Sequence, residues 1–485
     1  MQEKTWQRNG FIAVALLMIG MMLSLTIVPA TPVAAQDEEP TPTPRDPAWL
    51  GFSTAREAIQ EEEGVDLSVV RSWEFWQDDW SVAEGAHPQN ATGIDSCDTE
   101  TLIQFARPVY FGWTYVITAL NGNVYEARVS FDLQDVVLCD IMTEMSTPAV
   151  ATDDGGETAN TEDAVVQAGA SGEFELGGHA TGFFPDAVQA MQRSNMTWVK
   201  IQVPMYAGVQ YGYDRINEAK ANGFKILIGL VGNEDELGAD FEGYVDGLAT
   251  YAGAMAEAGA DAIEVWNEPN LGREWPEDQI NGARYTEMLS VVYNRIKERN
   301  PNTMVISAAM APTGAFGEAG CGNLGFESGC NDDVFMQQMA QAGAANYADC
   351  IGVHYNEGIV SPGTFSGDPR GEFPTYYFGS MTNRVAQYFP NRPICYTELG
   401  YLSPEGMGAP LPGNFAWAAD TSLAEHAAWL GEVVDRAQQR GDIRMLIVWN
   451  VDFDRWDSDP MGGYAILRPD GSCPACDTLA NAVRN

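Results

Sequence analysis

The chain has 485 residues, 45% of them hydrophobic and 11% aromatic, and carries a formal net charge of −42 from Lys+Arg 26 against Asp+Glu 68. This length exceeds one ordinary domain and leaves ample material for a large core. The charge argues against nucleic acid and anionic membrane surfaces as partners, and suits a neutral partner such as a sugar polymer better than a polyanion.

In chain order, residues 1–35 read as an export segment. Lys4 and Arg8 precede an apolar run from Phe11 to Val28, and Val33-Ala34-Ala35 offers a small-residue cleavage site. The run is also long enough to remain as an N-terminal membrane anchor. Both alternatives place the body of the protein outside the cytoplasm, either secreted or membrane-anchored at its N-terminus. Residues 36–47, with Asp37-Glu38-Glu39 and a T-P-T-P repeat, form a stiff acidic linker.

Residues 48–145 are expected to form a small α+β domain. Ser53–Glu62 has a helical pattern, and Leu67–Trp73, Trp113–Leu120 and Val124–Asp132 read as strands. Asn121-Gly122-Asn123 joins the last two as a hairpin. No acid/base or metal constellation occurs in this stretch, so its role is open between surface binding and packing against the larger domain, with packing the favoured reading. Residues 146–171, poor in bulky apolar side chains, are a second linker.

A rhythm begins after it. Short apolar runs recur at Phe174–His179, Trp198–Met205, Lys225–Val231, Ala262–Glu268, Met304–Ala309, Cys350–Tyr355, Ile394–Leu399 and Met445–Val451. Amphipathic helices lie between them, such as Tyr285–Glu298, where Tyr285, Leu289, Val292 and Ile296 keep helical spacing. Eight strand–helix units over residues 172–485 predict a (β/α)8 TIM barrel, so the fold class is α/β, a barrel preceded by a small α+β domain. The competing doubly wound sheet wants a Gly-rich phosphate loop after its first strand, and Gly177-Gly178-His179 lacks that spacing.

The eight cysteines fit an exported protein as disulfide candidates. Cys97 and Cys139 bracket part of the small domain, Cys321 and Cys330 share a Gly-rich loop, and Cys473 and Cys476 form a C-x-x-C. Cys350 and Cys395 could pair or stay buried thiols. With no second C-x-x-C and only four His, no metal and no cofactor are expected. The acidic loop Asp452–Asp459 lacks the Gly and distal Glu of an EF-hand.

In a TIM barrel, chemistry belongs to the C-terminal strand ends. Those ends carry His179, Gln202, Glu268, His354, Tyr355, Glu398 and Trp449. Pro269 breaks the fourth run directly after Glu268, leaving that carboxylate at a strand lip. Glu398 closes the seventh. Strand alternation puts Glu264 on the face of Glu268 but deeper, where a structural ion pair with Lys200 is expected.

W-N-E-P-N at Trp266–Asn270, followed by T-E-L-G-Y at Thr397–Tyr401, resembles glycoside hydrolase clan A, nearest to the retaining β-glycosidases of families 5 and 39. The resemblance covers the barrel only. It implies double displacement, with Glu398 as nucleophile and Glu268 as acid/base, the latter kept protonated by desolvation or by the charge on Glu398. It further implies that Asn267 donates to the sugar 2-hydroxyl, that His354 lines the site and that Trp449 floors it. Two departures stand out. Tyr355 directly follows His354, where such enzymes often place a Tyr two residues beyond, and Lys200 stands where they carry an Arg. Trp275, Trp417 and Trp456, in loops after strands four, seven and eight, and Tyr376-Tyr377-Phe378, after strand six, are candidate sugar-stacking rings. The resulting expectation is a retaining glycosidase acting on a β-linked poly- or oligosaccharide. The alternative is a barrel that binds carbohydrate with weakened or lost catalysis.

Overall fold

The computed structural model describes residues 46–81, 109–134, 136–139, 142–143, 174–317, 319–325 and 327–483. The expected export segment, most of the first linker, Cys97 and the second linker lie outside the described residues. Those described belong to one compact unit.

The small domain starts with a helix, Pro47–Glu63, because Asp46 accepts a hydrogen bond from the Ala48 amide and Pro47 is preset for a first helical turn. Strands β1 (Val70–Ser81), β2 (Val109–Ala119), β3 (Asn123–Ser130), β4 (Val136–Leu138) and β5 (Met142–Thr143) follow. They form an antiparallel sheet in the order β1-β2-β3-β4, with β5 also on β3. The Asn121-Gly122 turn is as expected, with Gly122 at φ 88. Trp49, Phe52 and Ile59 of the helix bury against Trp113, Tyr115 and Ile117 of β2. This layer docks on the larger domain: Trp73 Nε1 donates to the Tyr206 carbonyl at 2.7 Å and Arg56 reaches Glu236 at 3.4 Å.

All eight expected barrel strands are present: β6 (Glu175–His179), β7 (Trp198–Pro204), β8 (Lys225–Val231), β9 (Ala262–Val265), β10 (Met304–Ser307), β13 (Ile351–Tyr355), β14 (Ile394–Leu399) and β15 (Ile443–Val448). They are parallel, in the order β10-β9-β8-β7-β6-β15-β14-β13. A parallel bridge from Ile306 to Cys350 brings the two ends together, with the Gly352 amide donating to Ser307 Oγ at 3.0 Å. That seam requires a glycine, since a Cβ on Gly352 would lie 2.1 Å from the Ser307 carbonyl oxygen. A sheet closed in this way is a (β/α)8 barrel, and the doubly wound alternative falls.

Helices cover the outside. The helix Gly282–Arg299 buries Tyr285, Leu289, Val292 and Ile296 as its spacing predicts. Trp198, Leu227, Ala262, Ile306, Cys350, Cys395, Met445 and Ile447 pack the lower barrel interior. The Gly-rich loop between β10 and β13 contains a two-stranded ribbon that sequence periodicity does not reveal, β11 (Cys321–Asn323) with β12 (Ser328–Cys330).

Disulfides join Cys321 to Cys330, Cys350 to Cys395 and Cys473 to Cys476. Cys139 is also disulfide-bonded. Among the described residues no helix is long and apolar enough to cross a membrane. The Cys350–Cys395 link ties β13 to β14 across 45 residues of chain. Its removal in the C350A/C395A variant is expected to lower unfolding free energy by about 2–4 kcal/mol in equilibrium denaturation.

Candidate active site

The cleft is built on a buried charge. Lys200 points up inside the barrel, 1% exposed, with Nζ 2.8 Å from Glu264 Oε2 and 3.2 Å from Glu398 Oε1. The Lys200 side chain runs past Gly229 of β8, the register partner of Gln202, where a Cβ would come 2.9 Å from Lys200 Cε. Glycine there makes room for the ammonium. Burial works against the charge, but Glu264 and Glu398 outweigh it and raise the Lys200 pKa. The expected Lys200–Glu264 pair is therefore present, extended by the carboxylate at the strand end.

Glu398 reaches the interior through an irregularity. Cys395 faces inward and Tyr396 outward, so strict alternation would turn Glu398 away from the barrel axis. The pairing Val353↔Tyr396 is followed by His354↔Glu398, which gives β14 one extra residue. That bulge rotates Glu398 onto the face of His354. Its carboxylate then meets Lys200, His179 Nδ1 at 3.5 Å and His354 Nδ1 at 3.8 Å, with Asn356 Nδ2 at 3.5 Å from Oε2. Burial alone would raise its pKa, yet the charges of His354 and Lys200 hold it far below the ordinary carboxylate range.

Glu268 arrives differently. The fourth strand stops at Val265, three residues before the expected end. Trp266 takes φ 78 and Glu268 φ 38, left-handed geometry that costs a non-glycine residue about 1–3 kcal/mol each. What holds it is packing. Trp266 is buried against Trp275, its Nε1 donating to the Glu274 carbonyl at 2.7 Å, and Asn270 binds the Ala311 backbone on both sides. Glu268 Oε1 lies 3.0 Å from His354 Nδ1, and Oε2 lies 2.9 Å from an Arg273 guanidinium nitrogen.

One ring nitrogen of His354 thus faces both carboxylates, at 3.0 and 3.8 Å, so those two oxygens are at most roughly 7 Å apart. His354 is buried beneath them, and burial opposes its charge, but Glu398 and Glu268 raise its pKa. His179 has the opposite fate. Enclosed by Trp449 and Phe453, it is pushed down to about 4, mainly by burial. For Glu268, burial would raise the pKa, but His354 and Arg273 lower it. The expectation that Glu268 is kept protonated is therefore not met in the free protein. Its neighbour Glu274 is pushed up to about 8 by burial and by the charge on Glu268, while bonding the Asn267 side chain.

Asn267, Glu268, Gln202, Trp449, Trp417 and Glu398 all line one open cleft of about 530 Å³ above this layer. His179, Lys200 and His354 form the layer below. Three expected positions lie elsewhere. Tyr355 faces outward, as the neighbour of an inward His354 must, and donates to the Tyr376 carbonyl while packing on Phe378 and Tyr401. Trp275 is fully buried against Trp266 and Tyr285 because the turn after Pro269 folds back on the helices. Trp456 packs against the cluster of Leu402 and Tyr464 rather than the cleft. Of the Tyr376–Phe378 triplet, Tyr377 and Phe378 are buried, while Tyr376 and Trp417 stack on the Arg370 guanidinium. Arg273, Glu274, Asn356, Glu357, Phe415 and Asp459 also line the cleft, and no motif or periodicity marks them.

No protein-family model and no curated protein matches the chain. Solved structures similar to it include the catalytic domain of a Thermobifida fusca endoglucanase (14% identity, 64% of this chain and 86% of that one, TM-score 0.39). Others are an endo-1,4-β-mannanase from Rhizomucor miehei (13%, 64% and 94%, TM-score 0.40) and an exo-β-1,3-glucanase from Aureobasidium namibiae (10%, 63% and 94%, TM-score 0.38). At this distance they say nothing of the reaction. Among the described residues no group of three or more His, Cys, Asp or Glu is arranged to hold a metal ion.

Replacing Lys200 by Met leaves Glu264 and Glu398 buried without their cation. The expected cost is about 3–5 kcal/mol of unfolding free energy in urea at neutral pH. The K200M/E264Q double variant should recover part of that loss.

Proposed function

We propose that the chain is an exported glycosidase that hydrolyses β-linked glycans with net retention. The observation that carries this reading is the pair Glu268 and Glu398, gathered on one histidine nitrogen at the C-terminal mouth of the barrel but given different surroundings. Glu398 is ionised in a nest of cations and suits attack on the anomeric carbon. Glu268 sits at the rim with its outer oxygen toward the cleft, where a leaving-group oxygen would lie. A limit of roughly 7 Å on these two oxygens admits direct attack, since a retaining pair stands about 5–5.5 Å apart, and it reaches only the lower edge of the about 6.5–9.5 Å of an inverting pair.

In the first step Glu398 bonds to the anomeric carbon as Glu268 gives its proton to the departing oxygen. In the second, Glu268 takes a proton from water, which displaces Glu398. Asn267, held by Glu274, is placed to donate to the sugar 2-hydroxyl, and Trp449 and Trp417 offer faces to sugar rings. Lys200, in the place where the resemblance expects an Arg, touches Glu398 directly and keeps it charged. That contact disfavours the reading of a barrel that binds carbohydrate without turning it over.

Charge narrows the substrate. Glu268, Glu327, Glu357, Glu398 and Asp459 line the cleft beside Glu274, which burial pushes up to about 8, and Arg273 is the single cation among the lining residues. A neutral glycan suits this surface, and polyuronates or sulfated glycans are repelled. The disulfides fit an exported protein, and the small domain is read as packing support for the barrel.

On an aryl β-glycoside, Glu268→Ala is expected to lower turnover by about 10²–10⁴-fold, and Glu398→Ala to abolish it. Unchanged turnover in either variant overturns the reading. Proton NMR of the first-formed sugar should show the β anomer, whereas an initial α anomer means inversion. Across a polysaccharide panel, reducing ends should appear from neutral β-glucans or mannans and not from polymannuronate, which is β-linked but anionic.

A further inference from the structure

Glu268 is held from two sides by groups of unequal freedom. His354 takes Oε1 from below. It is completely buried, and its other charged neighbours, Glu264 at 3.9 Å and Glu398 at 3.8 Å, fix it in place. Arg273 takes Oε2 from above with a side chain 54% exposed to solvent. Its own anchor is the disulfide-closed ribbon β11–β12: the Arg273 amide donates to Glu327 Oε1 at 3.2 Å and its guanidinium meets Glu327 Oε2 at 3.3 Å. The Gly272 amide binds the Ser328 carbonyl at 2.8 Å, so the turn carrying Arg273 is fastened to the ribbon by backbone as well.

Glu268 Oε1 therefore faces His354 Nδ1 and Oε2 faces the Arg273 guanidinium; both contacts favour the ionised carboxylate, so protonation of Glu268 is disfavoured while both stay in place. His354 has nowhere to go. Arg273 opens onto the cleft, where a sugar bound on the leaving-group side would lie.

Resting on the acid/base reading of Glu268, we propose that Arg273 is a positioning residue that keeps Glu268 ionised in the free protein and is displaced by the sugar on the leaving-group side. Glu268 then takes a proton from solvent and becomes the carboxylic acid that the first step consumes, while the guanidinium stays charged throughout. The other titratable groups facing Glu268 are His354 below, Glu398 across the mouth, Glu274 on its own loop and Asp459 from the loop after β15. His354 and Arg273 favour its ionised form, Glu398 and Asp459 oppose it, and Glu274, pushed up to about 8, adds its opposition only as it ionises.

The sign follows. Activity falls as pH rises through the Glu268 pKa, so a depressed pKa pulls the alkaline limb toward acid. The kcat/KM profile reports the free protein and the kcat profile the complex. In the wild type the alkaline limb of kcat/KM is expected at lower pH than that of kcat. In Arg273→Gln the kcat/KM limb should move up by about one pH unit or more toward the kcat limb, and Arg273→Lys should restore most of the separation. Coincident kcat/KM limbs in wild type and R273Q overturn the proposal.

A second readout needs no turnover. In protein labelled with carboxyl-¹³C glutamate, the resonance missing from Glu268→Gln is followed through a pH titration in wild type and R273Q. An upward shift in R273Q together with no hydrolysis of any glycan keeps Arg273's hold on the Glu268 charge but removes the glycosidase reading and, with it, the displacement by a sugar. No shift sinks the Arg273 proposal whether or not the protein is an enzyme. R273Q and R273K are rim substitutions, and matching urea unfolding midpoints would confirm that both fold.

Discussion

The ammonium of Lys200, enclosed in the barrel between Glu264 and Glu398, is the constraint on which the upper half of the molecule depends. A cation removed from water in this way costs several kcal/mol unless it is matched. The surrounding sequence matches it. Gly229 supplies the space, Glu264 and Glu398 supply the counter-charge, and His354 adds a second cation against the same two carboxylates. An apolar layer from Trp198 to Ile447 seals the barrel below. Such a network adds little net stability over a hydrophobic filling of the same volume. What it adds is a carboxylate held ionised, its pKa well below the ordinary carboxylate range.

Two residues of one type are thereby given different chemistry. Glu398 sits on the last pairs of a strand, turned inward by a bulge and surrounded by Lys200, His179 and His354. Glu268 sits past the end of its strand, in left-handed geometry held by the buried Trp266–Trp275 contact and by the Asn270 bonds. Strain at that turn is the cost of placing Glu268 over His354 rather than further up the loop. Trp275, which the sequence offered as a sugar-stacking ring, acts here with Trp266 as the weight that keeps the turn down.

How much of this was legible follows from what each feature depends on. The eight strands are apolar runs of strand length bounded by polar turns, and every one is where its run lies. Lys200 and Glu264 follow from alternation and from the need of a buried charge for a partner. Alternation also gives Tyr355 its outward direction, since its neighbour His354 points in, so that position was decidable from the strand pattern. Glu398 shows the opposite case: a bulge reverses parity at one residue and leaves no periodic trace. Trp275 is hidden because the chain folds back after Pro269, a tertiary event. The β11–β12 ribbon is three residues a side, too short for a period, and Arg273 on the rim has neither motif nor periodicity to mark it.

From the barrel centre to the cleft mouth, the same pairing of cation and carboxylate occurs twice with different confinement. Lys200 is 1% exposed and has no other place in which to be solvated, so its hold on Glu398 is permanent. Arg273 is half in water, where leaving Glu268 exposes its charge to solvent rather than to a low-dielectric interior, and the Coulomb energy at stake is several-fold smaller. Its hold on Glu268 can therefore be broken by a bound sugar at modest cost. A group that must stay ionised is paired with a cation that cannot move, and a group that must gain and lose a proton is paired with one that can. Depth in the barrel is thus the physical variable that separates the two proposed roles.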